Sequence, residues 1–165
     1  GITLQDVVNA NGLIDIRAGG PITAVSVRAN GGTDTDDITL TTTSGSIEVG
    51  TINAAGFGDV ALSSAAGITD TDSNSLVTAQ TLSMTAANEI GGANAIQTTA
   101  EVLVANSTGA GAIRIVETNG ITLQDVVNAN GLIDIRAGGP ITAVSVRANG
   151  GTDTDDITLT TTSGS

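Results

Sequence analysis

The chain is dominated by short runs in which apolar and polar residues alternate. Examples are Ile14-Asp15-Ile16, Ile38-Thr39-Leu40 and Ile113-Arg114-Ile115, where two aliphatic side chains flank a polar one. Because successive side chains of a strand point to opposite faces, this period of two predicts β-strands with one buried face. The runs end at turn-forming pairs such as Asn11-Gly12 and Ser44-Gly45. Helical spacing is not sustained anywhere, so the pattern predicts an all-β chain.

One stretch of the sequence occurs twice without a change. Residues 1–46 and residues 120–165 are identical, and the second copy begins 119 positions after the first. Self-similarity at a fixed spacing is typical of repeat proteins, in which each unit packs against its neighbours. We therefore expect residues 1–119 to form one full sequence period of a continuous solenoid and residues 120–165 to start the next identical period.

The spacing of the strand patterns predicts the architecture. The strongest patterns are separated by steps of 25, 22, 21, 21 and 30 residues, and they start near Leu13, Ile38, Val60, Thr81, Val102 and Leu132. Steps of this length match one circuit of a stacked coil, so we predict a right-handed parallel β-helix with about five coils per period. The 30-residue step contains three strand patterns. It is either one coil with a protruding loop or an irregular pair of coils.

The near absence of aromatic residues favours the solenoid over its alternative, a tandem array of immunoglobulin-like β-sandwiches. A period of 119 residues would suit a sandwich domain, but Phe57 is the only aromatic residue in the sequence. Sandwiches of this kind usually bury a large aromatic side chain between longer strands. We expect a core of small aliphatic residues instead, with Phe57 and Met84 as core fillers or a loop anchor.

The net charge of the chain limits the classes of molecule that it can bind. Seventeen acidic residues face five arginines, which gives a formal net charge of -12. Phosphate binding requires a basic surface, so nucleic acid is excluded as a partner. No apolar run approaches the roughly 18 residues of a membrane span, and we expect no membrane insertion. The expected partner is the protein itself, through end-to-end stacking of repeats and lateral bundling of fibres.

Two long segments resemble the repeats of giant bacterial surface proteins of the filamentous haemagglutinin-like kind. They are residues 36–70 (DDITLTTTSGSIEVGTINAAGFGDVALSSAAGITD) and residues 111–139 (GAIRIVETNGITLQDVVNANGLIDIRAGG). Both combine a β-branched strand, an Asn-Gly or Ser-Gly turn and another strand, and residues 36–70 also place Asp-Asp or Gly-Asp before strands. The resemblance implies a β-helical shaft at the bacterial cell surface, used in adhesion, biofilm formation or cell-surface filaments.

Acidic clusters are the only candidates for a metal site. The densest is Thr33-Asp34-Thr35-Asp36-Asp37, and Asp70-Thr71-Asp72 is similar. Oxygen-rich clusters suit Ca²⁺, so Asp34, Asp36, Asp37, Asp70 and Asp72 are its candidate ligands. A solvated acidic turn explains the same residues without a metal, and we expect no metal and no other cofactor.

No catalytic residues are expected. Acids and the arginines Arg17, Arg28 and Arg114 are scattered over outward positions, and His and Cys are absent. We therefore predict a structural repeat of an extracellular shaft or filament and not an enzyme. The alternative is a ligand- or Ca²⁺-binding adhesin module that uses exposed loops, such as Gly31 to Asp37 and Ala54 to Asp59.

Overall fold

A computed structural model describes residues 1–164 of the chain, and Ser165 lies outside the described residues. These residues form 17 strands, all of which pair in parallel. No helix is present among them that could cross a bilayer. The strands are β1 (Ile2–Leu4), β2 (Val7–Asn9), β3 (Ile14–Ala18), β4 (Ile22–Ala29), β5 (Ile38–Thr42), β6 (Ile47–Ala54), β7 (Val60–Ser64), β8 (Ile68–Thr69), β9 (Leu76–Ala86), β10 (Ile90–Gly91), β11 (Ile96–Ala110), β12 (Ile113–Glu117), β13 (Ile121–Asn130), β14 (Ile133–Ala137), β15 (Ile141–Ala143), β16 (Val146–Ala148) and β17 (Ile157–Thr161).

The strands stack into a parallel β-solenoid of about eight turns, which confirms the predicted β-helix. One column of isoleucines follows the whole stack, because each member pairs with the next one in register. Its members are Ile2, Ile22, Ile47, Ile68, Ile90, Ile113, Ile133 and Ile157. Six of the eight are fully or almost fully buried, and only the two at the ends are exposed to water.

Each turn of the solenoid has two faces. Face I contains β3, β5, β7, residues 82–86, residues 103–110, β13, β15 and β16. Face II contains β1, β2, β4, β6, β8, residues 76–79, β10, residues 96–100, β12, β14 and β17. We call the edge where the chain passes from face II to face I the front edge, and the opposite edge the rear edge.

The first four predicted coil steps are confirmed within one residue. Ile14 pairs with Ile38, Ile38 with Val60, Val60 with Leu82, and Thr81 with Val102. The 30-residue step contains a full turn, from Val102 to Thr122, and then a crossing to the other face at Leu132. One sequence period therefore spans five and a half turns, which refines the expected number of about five coils.

The core is aliphatic, as the composition predicts. Alternation along β4 and β6 sends one set of side chains inward, and the buried aliphatics of all turns form one continuous cluster. Met84 is fully buried within this cluster. Phe57 is 59% exposed, so its prediction as a core filler is wrong. Phe57 lies on the loop between β6 and β7, so alternation within a strand does not direct its side chain into the core.

Polar side chains complete the hydrogen bonding where face I turns into the rear edge. The Thr42 hydroxyl donates to the Gly45 carbonyl at 2.9 Å, and the Ser64 hydroxyl donates to the Gly67 carbonyl at 2.9 Å. The Asn128 amide donates to the Gly111 carbonyl at 2.8 Å. Buried backbone groups at a bend cannot join the strand ladder, so these side chains supply the missing partners.

Candidate functional site: the stacked edge loops

The loop of residues 30–37 joins β4 to β5 at the front edge and is held by one buried carboxylate. Asp36 accepts hydrogen bonds from the Gly12 amide of the preceding turn at 2.6 Å and from the Thr33 amide at 2.6 Å. The Thr33 hydroxyl donates to it as well, at 2.8 Å. Gly31 lies against the same carboxylate, and a Cβ atom at that position would collide with it. Asp36 therefore holds the loop together by hydrogen bonds and also joins it to the preceding turn.

These hydrogen bonds set the charge state of Asp36. The Gly12 amide, followed by the amide and the hydroxyl of Thr33, lowers the pKa of the Asp36 carboxyl below its ordinary value. The corresponding loop of the second period keeps the hydrogen bonds that lie within the loop. There, the amide and hydroxyl of Thr152 lower the pKa of Asp155. Both carboxylates are thus held in the ionised form, in which all their lone pairs can accept.

A second loop, residues 55–59, stacks directly on the first at the front edge. Gly56 packs on Gly32, so closely that a Cβ atom on Gly56 would meet the Gly32 backbone. The Asp37 carboxylate accepts from the Asp59 amide at 2.9 Å, and the Asp59 carboxylate accepts from the Thr81 amide at 2.9 Å. The Asp that precedes a strand therefore joins its turn to the next turn along the front edge.

The exposed part of these two loops is small and chemically distinct. Asp34, Thr33 and Thr35 are exposed, and Phe57 lies on the adjacent loop with 59% of its surface exposed. An exposed acidic group and an exposed aromatic ring on neighbouring loops can offer one charged and one apolar contact to a ligand. This surface is the strongest candidate for recognition within residues 1–164.

Asp70 organises a separate loop, residues 70–75, which interrupts face II between β8 and β9. One carboxylate oxygen accepts from the Asp72 and Ser73 amides at 3.1 and 2.8 Å, and the other accepts from the Ser75 amide and hydroxyl at 3.1 and 2.7 Å. Burial raises the pKa of Asp70, but the hydrogen bonds outweigh it and the net pKa is lowered. Ser73 adopts a φ of 62° inside this loop, a conformation that the hydrogen bonds enforce.

The five candidate calcium ligands fall into two groups. Asp34, Asp36 and Asp37 lie at the front edge, whereas Asp70 and Asp72 lie on the loop that interrupts face II. Asp72 accepts from the Asn74 amide at 3.1 Å. Four of the five carboxylates thus serve as acceptors for backbone amides, and Asp34 points to solvent. No group of three acidic side chains within residues 1–164 is close enough to hold a metal.

Glu117 and Asn128 are among the buried polar side chains that were not predicted from the sequence. Glu117 is only 2% exposed, and its carboxylate accepts from the Thr98 hydroxyl at 2.7 Å, the Ala100 amide at 3.0 Å and the Asn119 amide at 2.9 Å. Asn128 is fully buried at a bend. The signal for Glu117 was its place in Ile113-Arg114-Ile115-Val116-Glu117, where alternation continues inward at the fifth residue.

The arginines considered for catalysis do not converge. Arg28 pairs with Asp6 of the preceding turn at 2.6 Å, and Arg17 pairs with Asp15 on its own strand at 3.3 Å. Arg114 donates to the Gly92 carbonyl. The two ion pairs lie at the surface, where such pairs contribute little to stability.

Comparisons of the chain with protein-family models, with curated proteins and with solved structures find no match. The geometry of the stack and of its edge loops is therefore the basis on which function is inferred.

Proposed function

We propose that the chain is a structural repeat of a stiff extracellular shaft or filament of a giant bacterial surface protein. The observation that carries this proposal is the unbroken stacking across the boundary between periods. Strand β12 of the first period pairs with β14 of the second in register from Ile113 to Glu117, and β11 pairs with β13 on face I with two register shifts. A hydrogen-bonded ladder that crosses the boundary transmits force without a flexible joint.

The exposure of the last turn shows what one turn contributes to the burial of the next. Ile157 and Leu159 are 46% and 38% exposed, although Ile38 and Leu40, at the same places in the first period, are fully buried. The difference arises because β7 covers Ile38 and Leu40, and no strand covers β17. A following period would supply that cover, so each added period buries the end of the one before it.

The surface and the length of such a shaft suit a mechanical role. Strands stack about 4.8 Å apart, so five and a half turns extend a shaft by about 26 Å per period. A net charge of -12 in 165 residues keeps separate shafts soluble. We propose self-association by end-to-end stacking, with adhesion or biofilm support as the role and without enzymatic activity, nucleic-acid binding or membrane insertion.

Chains with one, two, three and four complete periods would test the shaft directly. We expect straight rods in electron micrographs, with a length that grows by about 26 Å per period. Resistance to urea should rise with period number, since each new interface adds stability. A string of beads, or a length that does not increase in equal steps, would contradict the proposal.

The second candidate function, a binding module, is favoured by the exposure of Phe57 and Asp34 on neighbouring edge loops that stack on each other. Replacing Phe57 by Ala and Asp34 by Asn leaves the Asp36 hydrogen bonds intact, so the rod should keep its length. Loss of attachment to cells or surfaces with an unchanged rod would favour binding by this edge. Unchanged attachment would restrict the repeat to its mechanical role.

A further inference from the structure

We propose that each period rotates the surface of the shaft by half a turn, so that identical loops of successive periods lie on opposite edges. The true structural repeat is then two sequence periods, or eleven turns. For an array longer than the described residues, this inference rests on the proposed shaft. Within residues 1–164, it follows from the strand pairing alone.

Identical strands of the two periods belong to different faces. Ile14 lies on face I, in the column that continues through Ile38, Val60, Leu82, Leu103 and Leu123. Ile133 has the same place in the second period, but it pairs with Ile113 and Ile157 on face II. Five full turns separate Ile14 from Leu123, and the crossing to face II adds the remaining half.

The contacts along the edges show the same offset. At the front edge, the Asp36 loop contacts Gly12 below it, and the Gln80 amide donates to the Gly58 carbonyl at 2.8 Å further along. The rear edge is a different line of contacts. There Gly45 packs on Pro21, Gly111 packs on Glu89, and Gly131 packs on Gly111.

The acidic loop of the second period lies on the rear edge. Residues 149–156 join β16 of face I to β17 of face II, whereas residues 30–37 join β4 of face II to β5 of face I. The amide and hydroxyl of Thr152 are the main causes of the lowered pKa of Asp155, with a smaller contribution from Gly131 at the rear edge, whereas the Gly12 amide at the front edge is the main cause of the lowered pKa of Asp36. The same loop is therefore presented on both sides of the molecule.

The sequence tolerates either face because each strand pairs with the same following strand in both periods. Ile2 pairs with Ile22, and Ile121 pairs with Ile141 in the same register. Ion pairs are reproduced as well: the Asp6–Arg28 pair measures 2.6 Å and its counterpart, the Asp125–Arg147 pair, measures 2.8 Å. A half-turn, meaning the strands of one face together with the edge loop that follows them, can therefore occupy either face.

The half-turn offset determines which edges of the shaft present the loop to a partner. Loops of one kind alternate between the two edges every 26 Å or so along the axis, and each edge carries the loop every 53 Å or so. A second shaft that docks on this loop can then do so on both sides, which allows lateral bundles to grow in two directions. A whole number of turns per period would confine that contact to one edge.

Distances between labelled positions test the offset in the 165-residue chain itself. The sequence has no Cys, so paired Cys substitutions can carry spin labels at chosen sites. Asn119 lies at the front edge, and Asp153 lies on the acidic loop of the second period; both are exposed. For Asn119→Cys with Asp153→Cys, we expect a separation of roughly 20–30 Å, the width of a face. A shared edge would give less than about 12 Å, since only one or two turns would separate the labels.

A second pair gives an independent measurement. Asp34→Cys with Asp153→Cys should give roughly 35 Å across the stack, against about 24–29 Å for loops on a shared edge. Asp34→Cys with Asn119→Cys is the matched control, because four turns separate these sites on the front edge and predict roughly 19 Å. If a pair lowers stability, Thr118→Cys with Thr154→Cys replaces Asn119 and Asp153 by their exposed neighbours.

The outcomes separate this inference from the proposed function. Short distances for the pairs that include Asp153, with the control unchanged, would overturn the half-turn offset. Long distances in the 165-residue chain, together with multi-period chains that fail to form rods, would leave the offset intact and refute the shaft.

Discussion

Ile38 and Ile157 occupy the same place in two identical stretches of sequence, yet their surroundings differ. Ile38 is fully buried between β3 and β7, whereas Ile157 is 46% exposed because its strand is covered on one side only. Replacing each by Ala removes the same atoms from the same local sequence. Any difference in cost therefore measures the cover that the next turn provides.

The expected magnitudes follow from burial. Ile38→Ala removes three buried carbons, which loses about 2.4 kcal/mol at about 0.8 kcal/mol each. The cavity left between fixed turns raises the cost to about 3–4 kcal/mol, within the range of about 2–5 found for such changes. For Ile157→Ala, roughly half as much apolar surface loses its burial and no closed cavity forms, so we expect a loss of stability of about 1 kcal/mol.

Urea denaturation followed by circular dichroism measures both variants against the unchanged chain. A lower midpoint with an unchanged slope reports lost stability, and hydrogen exchange at β5 and β17 shows whether the end turn opens separately. Extending the chain by a segment identical to residues 47–64 should cover β17 and raise the cost of Ile157→Ala to that of Ile38→Ala. Equal costs in the 165-residue chain, or no rise on extension, would refute the reasoning.

Three further predictions concern the polar groups. Asp36→Asn should lower the melting temperature, and Asp34→Asn, its exposed neighbour, should not. Because hydrogen bonds lower the pKa of Asp36 in the folded protein, its contribution to stability is complete above the ordinary Asp pKa of about 3.9 and is lost as the pH falls through the lower folded pKa. An acid titration in which the stability of both variants matches that of the unchanged chain would disprove this. Calcium or a chelator should leave the melting temperature unchanged, because backbone amides occupy the Asp36 and Asp70 carboxylates; a calcium-dependent rise of several degrees would show a site. Glu117→Ala should cost about 1–3 kcal/mol by leaving buried donors unpaired, whereas the exposed Glu101→Ala should have almost no effect in the same urea experiment.

Much of the fold could be read from local pattern. Alternation in Ile38-Thr39-Leu40 and its counterparts identified the strands, and the spacing from Ile38 to Val60 gave the register that the structure has. Both follow from the geometry of one strand on the next, which depends on nearby residues only.

The candidate site was less predictable. An acidic run such as Asp34 to Asp37 has the composition of a metal site, but it also has that of a loop held by hydrogen bonds to its own carboxylates. What distinguishes them is the direction of each carboxylate, and that direction depends on the Gly12 amide, which belongs to another turn. Glu117 was missed for the same reason, since its three donors come from Thr98, Ala100 and Asn119, two of them on the turn before.

Sequence alone determined that the chain is built from parallel strands around an aliphatic core and that its pattern recurs after 119 residues. Only the tertiary structure decided where on the stack the second copy begins. The inward or outward direction of a side chain is a local property, because it depends on alternation within one strand. The rotational position of a whole period depends on how many half-turns precede it, and the odd number of half-turns in one period places Ile133 on the face opposite to that of Ile14.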